Sequence, residues 1–258
     1  MNKLSLLGRK MQQINDHITI KIPTVEEIWG SDNNHEKEYL AMASLFIQTP
    51  TDMMIELDDM GLDWTEISEY DLFVITMSAF LADKNNTVSS TMWNSVFIGL
   101  DHTNISMQID KMGTEYIFVN SNGEVIFDKR IYELISEALC NILFTTKNRE
   151  YAKVPEKDTR RYILDRARLK RKRRLERLNN NTETTPSSVL DGIILFLVNH
   201  RDFKYDFETV KKLSVYDLYA SFKQINKNQE VDGLMTGYWY GNVDLSKISD
   251  SKLKRIIL

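Results

Sequence analysis

One stretch limits what this chain can fold into: Lys157–Leu178, KDTRRYILDRARLKRKRRLERL, whose centre is nearly all positive charge. Leu, Arg, Lys and Ala dominate it. All are good helix formers, and no β-branched run interrupts them. Asp158 or Thr159 supplies a start, and Asp158 and Asp165 place negative charge toward the positive end of the helix dipole. The polar tail Asn179–Thr185 and then Pro186 stop it. A helix of this length spans about 30 Å. Its apolar stripe is short (Tyr162, Ile163, Leu164, Ala167, Leu169), and Lys170–Arg174 offers nothing to bury. The first half is therefore expected to pack on a body, and the second half to project into water or meet an acidic partner.

From Tyr151 to Asn180 there are 12 Lys/Arg and 4 Asp/Glu, a local charge of +8, whereas the whole chain carries −4, so the remainder carries −12. A basic rod on an acidic body has three readings. It can be a connecting helix that neutralises the chain's own acidic surface, a contact for an acidic protein, or a contact for nucleic-acid phosphate. The last usually brings stacking aromatics or a groove-reading fold, and only Tyr162 lies near the basic block.

A chain of 258 residues holds one large domain or two modest ones, and 42% hydrophobic residues supply a core. The single cysteine, Cys140, excludes a disulfide framework and a cysteine-based zinc site. It lies in the apolar segment Ile131–Phe144 and reads as a structural thiol. Met1–Met11 lacks the apolar run of a signal peptide. The longest apolar run, Leu72–Leu81, is broken by Thr76 and Ser78 and falls short of the ~20 residues that span a bilayer. The expectation is a soluble, intracellular protein without membrane contact.

Taken in order, Ile18, Ile20 and Ile22 alternate as one face of a strand, His17–Ile22, ended by Pro23. Thr24 and Glu27 make a capping box for a short helix closed by Gly30, and Ser31–Asn34 is a polar loop. Three helices follow. His35–Ile47 carries Tyr39, Met42, Ala43 and Phe46. A second starts at Thr49-Pro50 and ends at Gly61. A third runs from Asp63 or Thr65 to about Ala82, with Ile67, Tyr70, Val74, Met77 and Leu81 on one side. After a break at Asp83–Asn86, Val88–Leu100 is a helix or an irregular packed segment. Ile105, Met107 and Ile109 alternate as a strand. Thr114–Val119 and Val125–Phe127 form a hairpin around Asn122-Gly123. With His17–Ile22 these strands suggest one antiparallel sheet of three or four, covered by a helix Lys129–Phe144. Beyond the basic rod, Ser187 or Ser188 opens a helix through Leu197. His200–Tyr205 is a loop and Phe207–Leu213 a short helical turn. Ser214 caps a helix that continues toward Leu234. Gly237–Gly241 reads as a glycine-bracketed aromatic turn, and Asp250–Ile257 as a last short helix.

No motif names a reaction. His17, His35, His102 and His200 are scattered, with no pair at metal-ligand spacing, and His35 with Glu36 and Glu38 reads as an exposed helix start. Glu56, Asp58, Asp59 and Asp63 lack the alternating ligands of a calcium loop. They read as a solvated acidic face able to receive the basic rod. Neither a glycine-rich phosphate loop nor a serine elbow occurs. No catalytic residue, metal ligand or cofactor-binding residue is nominated. Tyr238, Trp239 and Tyr240 have two readings, core cover for the preceding helix or an exposed recognition patch. Met53, Met54, Met60 and Met77 read as core, with some methionines able to line an adaptable groove.

Ile22–Glu27 (IPTVEE), Thr49–Trp64 (TPTDMMIELDDMGLDW), the RARLKRK helix, Tyr205–Glu208 (YDFE) and the GYWYGNVD ending together resemble a family from the tail-morphogenesis gene block of long-tailed phages and prophages of Gram-positive bacteria. The likeness covers most of the chain. It implies a tail assembly chaperone-like protein that is not an enzyme, has no cofactor and acts in the host cytoplasm. The implied partner is the long helical tape-measure protein, held before tube subunits polymerise. Self-association is a further expectation. The alternatives are a structural virion protein of the tail or its connector, and a nucleic-acid binder using the basic helix. The expected fold is α+β and mostly helical, in three parts: an N-terminal domain with a small antiparallel sheet (1–150), a basic connector with a polar linker (151–186) and a small helical C-terminal domain (187–258). Partner contact is assigned to Arg168, Lys170, Arg171, Lys172, Arg173, Arg174, Tyr238, Trp239 and Tyr240.

Overall fold

A computed structural model describes residues 6–29, 34–83, 87–151, 153–154, 156–179 and 188–254. Outside these lie the expected Gly30 stop, loop residues 31–33, most of the break at 83–86, the linker from 180 to 187 and the last four residues. The chain is mostly helical α+β, with two small antiparallel sheets.

A hairpin of β1 (Met11–Gln13) and β2 (Thr19–Lys21) opens the described chain, with Gln12 opposite Ile20. Ile18, Ile20 and Ile22 are buried, as their alternation predicts. Pro23 follows, and Thr24 with Glu27 closes the expected capping box on α1 (Val25–Ile28). α2 (Asn34–Ile47) buries Tyr39, Met42, Ala43 and Phe46. The next helix, α3 (Met54–Asp59), starts later than its Thr49-Pro50 signal. Thr49 and Asp52 instead bond each other in a turn ahead of the helix, and the Thr49 hydroxyl donates to the Asn148 carbonyl. α4 (Glu69–Ala82) is also shorter than expected, because Ser68 and Asp71 form a capping box that fixes its start.

α5 (Thr87–Val96) precedes the second sheet, ordered β3 (Ser106–Ile109), β4 (Tyr116–Val119), β5 (Val125–Phe127). The two sheets do not merge into the one expected. The outer edge of β2 is taken by the end of α5, where Ile20 bridges Phe97 and the Ile98 amide donates to the Thr19 carbonyl. α6 (Lys129–Ile142), capped by Asp128, packs on β5 and α2. It closes in a Schellman pair, Thr145 amide to Cys140 carbonyl and Phe144 amide to Asn141 carbonyl. Phe144 sits there at φ 49, a costly conformation for a side chain of this size, with its ring packed on Tyr216 at 5.0 Å.

The basic stretch is α7 (Lys157–Asn179), and Leu164 is its one buried side chain among the described residues. α8 (Val189–Val198) is capped by Ser188, as expected. A short 3-10 turn, Val210–Lys212, stands where a helical turn is expected, and Ser214 caps α9 (Val215–Trp239). α9 runs past Leu234 through the supposed aromatic turn. A Schellman pair stops it: the Gly241 amide bonds the Tyr238 carbonyl and the Asn242 amide bonds the Gly237 carbonyl, with Gly241 at φ 73. The two glycines therefore do different work. Gly241 supplies the left-handed residue, whereas a Cβ at Gly237 would lie 2.6 Å from Val243 Cγ2. After this stop the chain folds back along α9. Lys227 Nζ donates to the Lys252 carbonyl at 2.8 Å, within α10 (Asp250–Leu253).

The segments on either side of the basic helix, expected as separate N- and C-terminal parts, share buried residues. One buried cluster joins residues from Leu6 to Leu143 with others from Leu190 to Ile225. Its aromatic centre packs Phe46 on Phe73 at 4.9 Å and Phe73 on Tyr132 at 4.8 Å. Polar bonds stitch the same seam. Glu36 is not an exposed helix start: it is 4% exposed, and its carboxylate accepts the Val189 and Leu190 amides at 3.1 and 3.2 Å. A carboxylate at the positive end of α8 is doubly favoured, by unpaired N–H groups and by the dipole. Val25 N bonds Leu213 O and Val215 N bonds Pro23 O, both at 2.8 Å.

Candidate functional site

α7 lies along α3, and the acidic run there receives it. Arg160 pairs with Asp63, Arg168 with both Asp58 and Asp59, and Arg171 with Glu56 at 2.7 Å. Spacings of four, four and three residues place Arg160, Leu164, Arg168 and Arg171 on one helical face. Beneath that face is a second buried cluster of Met54, Leu57, Trp64, Leu72 and Leu164, separate from the main core. Burial raises the Asp63 carboxyl, but the Thr65 hydroxyl and amide and the Arg160 charge outweigh it, leaving Asp63 below its usual range. Arg168 and Arg171 are thus engaged within the chain. Lys170, Lys172, Arg173 and Arg174 are exposed and make no ion pair among the described residues.

The face of α7 turned away from the body carries Tyr162, Arg166, Leu169, Lys170 and Arg173. Tyr162 and Leu169 are exposed, so part of the stripe expected to pack does not. Leu175 continues the inward face one turn past Arg171 and is also exposed. Met60 is exposed too, against the expected core placement, while Met54 and Met77 are buried.

At the far end of α9 the rings stand in water: Tyr238 is 51% exposed, Trp239 79% and Tyr240 78%. Of the two readings of these rings, the structure has the exposed patch. Trp239 is the last residue of a 25-residue helix whose end is closed by backbone bonds, so the rings project from a fixed support.

A third exposed apolar patch has no counterpart in the sequence reading. β3 is an edge strand; Met107 and Ile109 on it, Met112 in the turn beyond it and Tyr116 opposite Ile109 on β4 are all exposed. Alternation signals the strand, but only Ile105, just before it, is buried. Exposed apolar residues on a sheet edge are a recognised contact feature.

A polar cleft of about 670 Å³ lies between the start of α4, α6 and residues 145–149. Glu69 accepts from Lys147 at 2.7 Å and from Arg149 at 2.6 Å, and Lys147 also donates to the Tyr132 hydroxyl. Burial raises the Glu69 carboxyl, and the two cationic hydrogen bonds more than reverse this, leaving it below its usual range. Burial lowers the Lys147 ammonium, and bonding to Glu69 and Tyr132 carries it above its usual range instead. Burial raises the Cys140 thiol. An ammonium and a thiol both held in their protonated forms are not activated nucleophiles. The cleft ties residues 147–149, which lead into α7, to the body. Among the described residues no group of three or more His, Cys, Asp or Glu is arranged to hold a metal ion, and no helix is long and apolar enough to cross a membrane. No family model, curated protein or solved structure matches the chain.

Proposed function

We propose that this chain is a non-enzymatic phage tail assembly chaperone that binds the tape-measure protein in the host cytoplasm during tail morphogenesis. The observation that carries the reading is the exposure of Tyr238, Trp239 and Tyr240 on a closed helix end. Tyr and Trp are the residues that dominate interface energetics, because they bury much area at little entropic cost. Lys170, Lys172, Arg173 and Arg174 add a cationic surface that steers an acidic partner and keeps an apolar complex soluble. The resemblance of the TPTDMM, RARLKRK and GYWYGNVD stretches supplies the identity of the partner.

Co-expression with the tape-measure protein tests this. The tape-measure protein is expected to become soluble and to co-purify with the chain. Trp239→Ala/Tyr240→Ala is expected to reduce the captured amount by about tenfold, in line with loss of hot-spot rings. Equal solubility with and without the chain, and no co-purification, would refute the proposal. Mass spectrometry of purified particles separates a chaperone, expected to be absent, from a structural tail protein, which is retained.

A further inference from the structure

We infer that α3 and its flanks form a receptor ledge for a basic amphipathic helix supplied by another polypeptide, and that α7 occupies that ledge in cis until displaced. The inference rests on the reading of this chain as a binding protein, not on the identity of the partner. The ledge has a floor and a rim. Met54, Leu57, Trp64 and Leu72 make the floor, with Met53 and Ile55 packed beside it. Glu56, Asp58, Asp59 and Asp63 make the rim, each engaging an arginine of α7.

The chemistry of the floor and rim selects the occupant. A neutral apolar helix leaves four carboxylates without a countercharge. An acidic helix, or a nucleic-acid phosphate, is repelled by them. A helix presenting one apolar residue between arginines at the spacing of Arg160, Leu164, Arg168 and Arg171 satisfies both parts. Methionines on the floor let side chains of different shape take the place of Leu164.

The hold of α7 is weak for three reasons. Two of its three arginines are open to water: Arg168 and Arg171 side chains are 41% and 55% exposed, against 23% for Arg160, and exposed pairs are screened by salt. Its apolar contact is a small cluster separate from the main core. Its own outward face sets Arg166, Lys170 and Arg174 at successive intervals of four residues, an arrangement of like charges that disfavours the helix unless acidic groups offset it. A helix held in this way yields to one with better apolar contacts and fewer crowded cations.

The test uses the full chain and a fluorescein-labelled synthetic peptide of the α7 sequence, Lys157–Asn179, followed by fluorescence anisotropy. Two variants both loosen α7 but differ at the ledge. Arg168→Ala/Arg171→Ala weakens the cis helix and leaves the ledge intact. Glu56→Gln/Asp58→Asn/Asp59→Asn weakens the cis helix and neutralises three of the four rim carboxylates. The arginine variant is expected to bind the peptide about tenfold more tightly than the unaltered chain, since the competitor is weakened. The carboxylate variant is expected to bind no better than the unaltered chain. Binding to the arginine variant is expected to fall about tenfold between ~0.05 and ~0.5 M salt. Equal peptide binding by the two variants, or no gain in the arginine variant, overturns the inference. If the double arginine variant does not fold, Arg171→Ala alone must show the same direction of change. The outcome is separable from tape-measure capture: Trp239→Ala/Tyr240→Ala is expected to leave peptide binding unchanged, so either proposal can fail without the other.

Discussion

The main core and the α7 clasp are built from the same chain by different physics. Around Phe46, Phe73, Phe127 and Tyr132 the chain buries rings against rings, with centroids 4.8 to 5.8 Å apart in four of these pairs. That cluster draws on every helix from α1 to α9 except α3 and α7. Under α7 it buries five side chains, with partly buried apolar neighbours, and adds arginine–carboxylate pairs of which those of Arg168 and Arg171 are exposed. Apolar burial is insensitive to salt and strong per residue, whereas an exposed ion pair is weak and screened. The contrast separates a scaffold that has one arrangement from a helix that can be exchanged.

The sharpest break between the two regions is a core truncation. Phe73→Ala removes the ring that touches Phe46, Phe118, Phe127 and Tyr132, and it is expected to cost about 3–5 kcal/mol in urea denaturation. A cost as small as that of a surface substitution would place the core elsewhere. Glu36→Ala comes next, at about 1–3 kcal/mol, because it strips the buried Leu190 amide and the partly buried Val189 amide of their acceptor. Unfolding should be one transition, since α8 and α9 contribute to the main core; two separate transitions would show an independent C-terminal domain.

Acid should act on the hub that anchors the approach to α7. The folded Glu69 carboxyl lies below its usual range, so folding favours its ionised form. Its contribution is fully present above the unfolded value of about 4.3 and is lost as the pH falls through the lower folded value. Glu69→Gln is expected to cost about 1 kcal/mol at neutral pH and to flatten the stability curve below about pH 4.5. An unchanged acid limb would show that Glu69 is not coupled to folding. Salt should have the smallest effect on global stability, within about 0.5 kcal/mol up to 0.5 M, because the clasp is peripheral. The same salt should nevertheless expose Trp64 to acrylamide quenching, measured after replacing Trp29, Trp93 and Trp239 by Phe.

The parts legible in the sequence are those fixed by neighbours. The Thr24–Glu27 capping box, Ser188 and Ser214 as caps, and the turn at Asn122-Gly123 depend on residues within a few positions, and the structure has each of them. The exchange of charge between the acidic run and the basic rod is one of the three readings the sequence offers for a rod of +8 on a remainder of −12. Parts that depend on distant contacts were not legible. Glu36 reads as surface until α8, more than 150 residues later, brings two amides to it. β1 is three residues, MQQ, too short to show alternation. Gly237 and Gly241 look alike as chain breakers. Only the packing of Val243 shows that the first is a contact and the second a helix stop. At the candidate site the residue types were readable, but not their states: Arg168 and Arg171 are occupied within the chain, and Tyr238–Tyr240 are free in water.

Hydrogen–deuterium exchange of the unaltered chain, read by mass spectrometry at ~0.05 and ~0.5 M salt, tests the contrast between scaffold and clasp most directly. Peptides from α7 should exchange faster than those from α4, α6 and α8 at low salt, and faster still at high salt, with the other three unchanged. Protection of α7 equal to that of α4 at both salt concentrations would contradict the account.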